Sequence, residues 1–127
     1  MPENDLHHIK LKNRIKPILK DIRGMPSADD RMQAILEVLT DVEVIPTVGH
    51  YYTFVYSPKT PDIRYDNFPL VAVTGVFKWG FRGVNFHWDE SRNYTWNEIV
   101  GNLYVVRRQE LIDLIKIGYA RFRYNYK

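Results

Sequence analysis

The sequence predicts an α+β domain in which one amphipathic helix precedes a small, strongly curved β-barrel. Residues 50–88 hold most of the aromatic side chains and alternate with the strand period: Tyr52, Phe54 and Tyr56 share one face, Tyr51, Thr53 and Val55 the other. Gly75, Gly80 and Gly83 punctuate the same block, where short strands would have to bend. Helical spacing lies outside it, with Met32, Ile35, Leu36 and Leu39 at i, i+3, i+4 and i+7.

Taken in order, Ile15, Ile18, Leu19 and Ile22 follow helical spacing, and Pro17 is compatible with a first turn. An extended arm to about Lys16 and a short helix to Arg23 are expected, closed by Gly24-Met25-Pro26. Ser27 and Asp30 form a near capping box for a helix from Ala28 to about Thr40. Pro46 and Gly49 lead into the strand 50–56. Pro58 and Pro61 then impose a loop, since proline cannot donate to a ladder. The apolar, β-branched run 68–76 reads as a strand buried on both faces. Val84, Phe86 and Trp88 resume alternation, and the polar stretch 89–93 reads as a turn. Thr95 and Glu98 form a T-x-x-E box for one helical turn over 96–100, followed by a closing strand over 103–106. Leu111, Leu114 and Ile115 mark a short amphipathic helix over 110–117. Together these elements predict a barrel of SH3-like type. The chain divides into a basic arm with a short helix (1–23), the helix and barrel (24–117) and an aromatic-basic arm (118–127).

At 127 residues one domain can bury about two thirds of its unfolded surface. With no cysteine, neither disulfides nor thiolate metal sites arise, which suits a reducing compartment. The start of the chain lacks the apolar stretch of a signal peptide, and no apolar run approaches the roughly 20 residues of a membrane span. A soluble, non-secreted protein without membrane contact is expected. The net charge of +3 is unevenly spread. Lys10, Lys12, Arg14, Lys16, Lys20 and Arg23 face only Asp21 over 8–23, and Arg107, Arg108, Lys116, Arg121, Arg123 and Lys127 dominate the C-terminal stretch. Residues 51–106 balance. Such ends either meet something negative or form solvated helix faces.

Catalytic chemistry finds little support. His87, Asp89 and Glu90 adjoin one another, but a facial metal site needs a further histidine, and a histidine hydrogen-bonded beside a turn is the simpler account. Ser27, Ser57 and Ser91 sit in loop or cap contexts, with no nucleophile elbow. The carboxylate pairs Asp62/Asp66 and Asp89/Glu90 have no evident cleft, and the glycines lack phosphate-loop spacing. A non-enzymatic protein without cofactor or metal is expected. For nucleic acid, Tyr52 and Tyr56 with Lys59, Lys78 and Arg82 would supply rings and cations, unless the rings simply fill the barrel. For protein partners, Lys10, Lys12, Arg14 and Lys16 would meet an acidic surface or DNA. Arg121, Phe122, Arg123, Tyr124 and Tyr126 would lock a strand-like tail into a neighbour.

The stretch Tyr51-Tyr52-Thr53-Phe54-Val55-Tyr56-Ser57-Pro58-Lys59-Thr60, with Tyr65-Asp66-Asn67-Phe68-Pro69-Leu70 and Gly80-Phe81-Arg82-Gly83-Val84-Asn85-Phe86-His87, resembles a pattern in small proteins of T4-like tailed phages, including cyanophages. The resemblance covers about the middle third of the chain and brings no catalytic residues with it. It implies a virion component of the neck, tail or baseplate, made in the bacterial host cytoplasm and built into a multi-copy assembly with other phage structural proteins. The alternative it leaves is a protein bound to packaged or replicating phage DNA.

Overall fold

The computed structural model describes residues 13–57, 67–120 and 122. The described chain begins with an Asx turn: the amides of Ile15 and Lys16 donate to Asn13 Oδ1 at 2.9 and 2.8 Å. This starts a 3₁₀ turn, Lys16–Ile18, in which Pro17 occupies an early position where its missing N–H is no loss. The turn continues as α1 (Leu19–Arg23). Ser27 caps α2 (Ala28–Val38), its hydroxyl accepting from the Asp30 amide at 3.0 Å. Both helices follow the periodic positions, with Ile22, Met32, Ile35 and Leu39 buried.

Six antiparallel strands follow: β1 (Val42–Glu43), β2 (Tyr51–Tyr56), β3 (Leu70–Val76), β4 (Gly80–Asn85), β5 (Glu90–Thr95) and β6 (Ile99–Val106). Their order in the sheet is β1-β6-β2-β3-β4-β5. A 3₁₀ turn with a full Thr95/Glu98 capping box, Trp96–Glu98, joins β5 to β6. A second, Arg108–Glu110, leads from β6 into α3 (Leu111–Lys116). No helix among the described residues is long and apolar enough to cross a membrane.

The sheet has two apolar faces. One packs under the helices, where Ile15, Met32, Ile35, Leu70, Phe86, Leu111 and Leu114 meet. The other holds Tyr52, Phe54, Tyr56, Val71, Val73, Phe81, Tyr94 and Leu103. Tyr94 on β5 lies 5.4 Å from Phe54 and 5.3 Å from Tyr56, ring centre to ring centre, both on β2. In a flat sheet, strands three apart stand about 14 Å from each other. The sheet is therefore strongly curled, and its aromatic face closes on itself. Glycine permits the curl where strands crowd: a Cβ on Gly80 would meet Tyr94 O at 1.9 Å, and one on Gly83 would meet Val71 Cγ1 at 2.3 Å.

Several expectations change. The predicted barrel is an open sheet here, since no ladder among the described residues joins β1 to β5. β4 ends at Asn85, short of Trp88, because the Asn85 carboxamide accepts the amides of His87 (2.8 Å) and Trp88 (3.2 Å) and turns the chain. The polar residues after Asp89 then form β5 rather than a turn, with Tyr94 as its inward anchor. The closing strand starts earlier, at Ile99, and Gly101 (φ 81°) sits within it, where the β2–β6 register shifts. The N-terminal segment is not an arm from Asn13 onward: Ile15 and Ile22 belong to the core under the helices.

Candidate functional site

The residues expected to contact partners fall into three groups. Tyr52 and Tyr56 lie inside the curled sheet, 0% and 8% exposed, and present no ring face to a base; alternation put them on the face that the curl encloses. Arg14 is likewise committed. Its amide and side chain reach buried Glu110, with amide N, Nε and a terminal nitrogen at 2.6, 2.9 and 2.9 Å from the carboxylate oxygens. It also donates to the Val105 carbonyl and pairs with Asp41. Phe122 stacks at 4.3 Å on His87, which also meets Tyr119 edge-on. Phe122 is in no strand. The described parts of both ends are thus held by the protein's own body. Lys16 is exposed, as are Lys78 and Arg82. Lys10, Lys12, Lys59, Arg121, Arg123, Tyr124 and Tyr126 lie outside the described residues.

His87 is buried, and its Nε2 accepts the Leu70 amide at 3.1 Å, so this nitrogen is a hydrogen-bond acceptor in the core. Among the described residues no group of three or more His, Cys, Asp or Glu side chains is placed to hold a metal ion.

Two surface features emerge, one that sequence reasoning passed over and one of which it named the cations Lys78 and Arg82 but not the ring stack. The first flanks β1. Val42, Val44, Ile45 and Val48 are 45%, 77%, 65% and 55% exposed, and Val100 of β6 is 53% exposed. β1 pairs on one side with β6, and among the described residues no strand pairs on its other side. The segment is positioned from within: the Tyr52 hydroxyl donates to Glu43 at 2.5 Å and accepts the Thr47 amide at 2.8 Å. Burial, then the Glu43 hydrogen bond, raise the Tyr52 pKa above its ordinary value. The β-branched run from Val42 to Ile45 was the available signal, masked by its position between a helix and Pro46.

The second is the tip of the β3–β4 hairpin. Phe77 and Gly80 exchange backbone hydrogen bonds around the two-residue loop Lys78-Trp79. The Phe77 and Trp79 rings stack in parallel, 5.1 Å apart and 5° from coplanar, and remain 40% and 41% exposed. The Arg82 guanidinium lies over Phe77 at 5.4 Å, and its Nε donates to Asn93. Trp96 Nε1 donates to the Lys78 carbonyl at 2.8 Å and fixes the loop from below.

Comparison with family models, curated proteins and solved structures returns no match for this chain.

Proposed function

We propose that this chain is a non-enzymatic adaptor of a tailed-phage virion, in the neck, tail or baseplate, and that it docks on a neighbouring subunit through the apolar strip beside β1. The strip is the observation that carries the reading. Five aliphatic side chains, four of them within seven residues of one another, stand exposed beside a sheet edge on which no strand pairs among the described residues. The virion setting rests on the resemblance of residues 51–60, 65–70 and 80–87 to small T4-like phage proteins. The finer fold assignment, an SH3-like barrel, is supported by the curled order β6-β2-β3-β4-β5 and the 3₁₀ turn between the last two strands in sequence. The docking role passes from the terminal arms to this edge because Arg14 and Phe122 already have partners inside the molecule.

The test is the double substitution Val44→Asp, Ile45→Asp. Both side chains are exposed, so the variant should unfold at the wild-type temperature yet be missing from purified particles. A variant that folds and enters particles at the wild-type level overturns the proposal. DNA binding is the second reading, favoured by the cationic aromatic hairpin tip.

A further inference from the structure

We infer that the β3–β4 hairpin tip is a stacking site for a single-stranded oligonucleotide, with a base on Trp79 and phosphates on Lys78 and Arg82; this rests on the DNA-binding reading above. Two-residue hairpin loops favour Asn-Gly or Gly-X, because the preferred turns need positive φ. This loop carries Lys-Trp with neither residue at positive φ. Turn geometry therefore does not account for its residues. A large ring at a solvent-facing tip would be expected to fold back onto apolar surface, yet Trp79 is 41% exposed and its ring partner is itself exposed Phe77.

The platform is built before any ligand arrives. Phe77 lies where a side chain on residue 75 would be: a Cβ on Gly75 would come within 2.9 Å of Phe77 Cζ. Arg82 covers Phe77 and is oriented by Asn93, and Trp79 completes the stack. Holding the rings parallel in the free protein lowers the ordering cost of binding. The charges select the ligand. No carboxylate pairs with Lys78 or Arg82 among the described residues, so both cations are available to an anion beside an aromatic face. A base joined to phosphate matches that combination, and a single strand can offer the unstacked base that a duplex keeps inside.

Fluorescence anisotropy of the full chain with labelled oligo-dT, oligo-rU and a duplex, at two salt concentrations, tests the inference. Single strands should bind more tightly than duplex, and oligo-dT should match oligo-rU, because base face and phosphate are common to both. Trp79→Ala should weaken single-strand binding about tenfold, and Trp79→Phe should retain most of it. Gly75→Ala, which adds no charge and removes no ring, should also weaken binding by displacing Phe77. Lys78→Ala and Arg82→Ala should each lower the slope of log affinity against log salt by about 0.7. Wild-type binding that Trp79→Ala and Gly75→Ala leave intact, or that prefers duplex, overturns the tip as the site while DNA binding stands; binding that requires the 2′-hydroxyl overturns both. No binding of any oligonucleotide at low salt overturns both.

Discussion

Glu110 shows how one side chain can settle the fate of a distant segment. It is fully buried, and its carboxylate takes hydrogen bonds from the Arg14 amide and guanidinium and from the Arg107 amide. A buried carboxylate is costly unless paired and hydrogen-bonded, so Arg14 is drawn to it across 96 residues. Removing one partner of a buried pair costs about 3–5 kcal/mol. Because Arg14 keeps Asp41 as a second anion, Glu110→Ala should cost near the lower end, about 3 kcal/mol, measured by urea unfolding. A loss below about 1 kcal/mol would mean the pair contributes only as an exposed one does. In the sequence Arg14 reads as one cation of a basic arm and Glu110 as a helix start. Neither position reveals the other, because spacing along a chain carries no information about contacts this remote.

Among elements, β1 is held by a short ladder and by Tyr52. Val42 and Glu43 pair with β6 and the Val105 amide donates to the Asp41 carbonyl, while the Tyr52 phenol on β2 reaches Glu43 and Thr47. The folded protein favours the neutral phenol, since burial first and then the Glu43 hydrogen bond raise its pKa above 10.0. Its stabilising contribution is therefore complete below the unfolded pKa and is lost as pH climbs through the higher folded value. Tyr52→Phe should lower stability at neutral pH by about 1 kcal/mol, the scale of a lost buried hydrogen bond. Above pH 10 the wild type should lose stability faster than the variant, so that the gap between them narrows. Urea midpoints of both proteins across the alkaline range check this; parallel curves would refute it. β2, β3, α2 and the Thr95 capping box were legible because alternation, periodicity and caps are local signals, whereas most of polar β5 read as a turn. β1 was not, being two residues long and stable only against its neighbours.

For the whole molecule, the described parts of both ends pack on the body. Tyr119 is 9% exposed, and Phe122 stacks on buried His87. Arg31 on α2 donates to the Ile117 carbonyl at 2.9 Å and ties the approach to this segment to the helical layer. If 118–127 were only an arm locked into a neighbour, deleting it would leave the monomer intact and abolish only assembly. With Tyr119 and Phe122 covering His87, the deletion should itself lower stability by about 2 kcal/mol, the scale of one buried aromatic side chain. Thermal or urea unfolding of the truncated chain measures this; an unchanged midpoint would show that the tail adds nothing to the body. The deletion thus tests two properties at once. The exposed Val44/Ile45 pair separates docking from folding more cleanly.

Alternation, helical spacing, proline and glycine by themselves determined most of the elements and the α+β class, because each depends on backbone sterics and on which side chains share a face within a few residues. They also determined which face of β2 carries Tyr52, Phe54 and Tyr56. Whether that face meets solvent or closes upon itself was decided only in three dimensions, by a curl that sets β5 rings against β2 rings. The same holds for the charges and apolar residues left outside: Arg14 is consumed by a distant carboxylate, while Lys78, Trp79, Val44 and Ile45 stay exposed. Burial is a property of the packed chain as a whole, and a linear pattern records preference for a face without recording what comes to cover it.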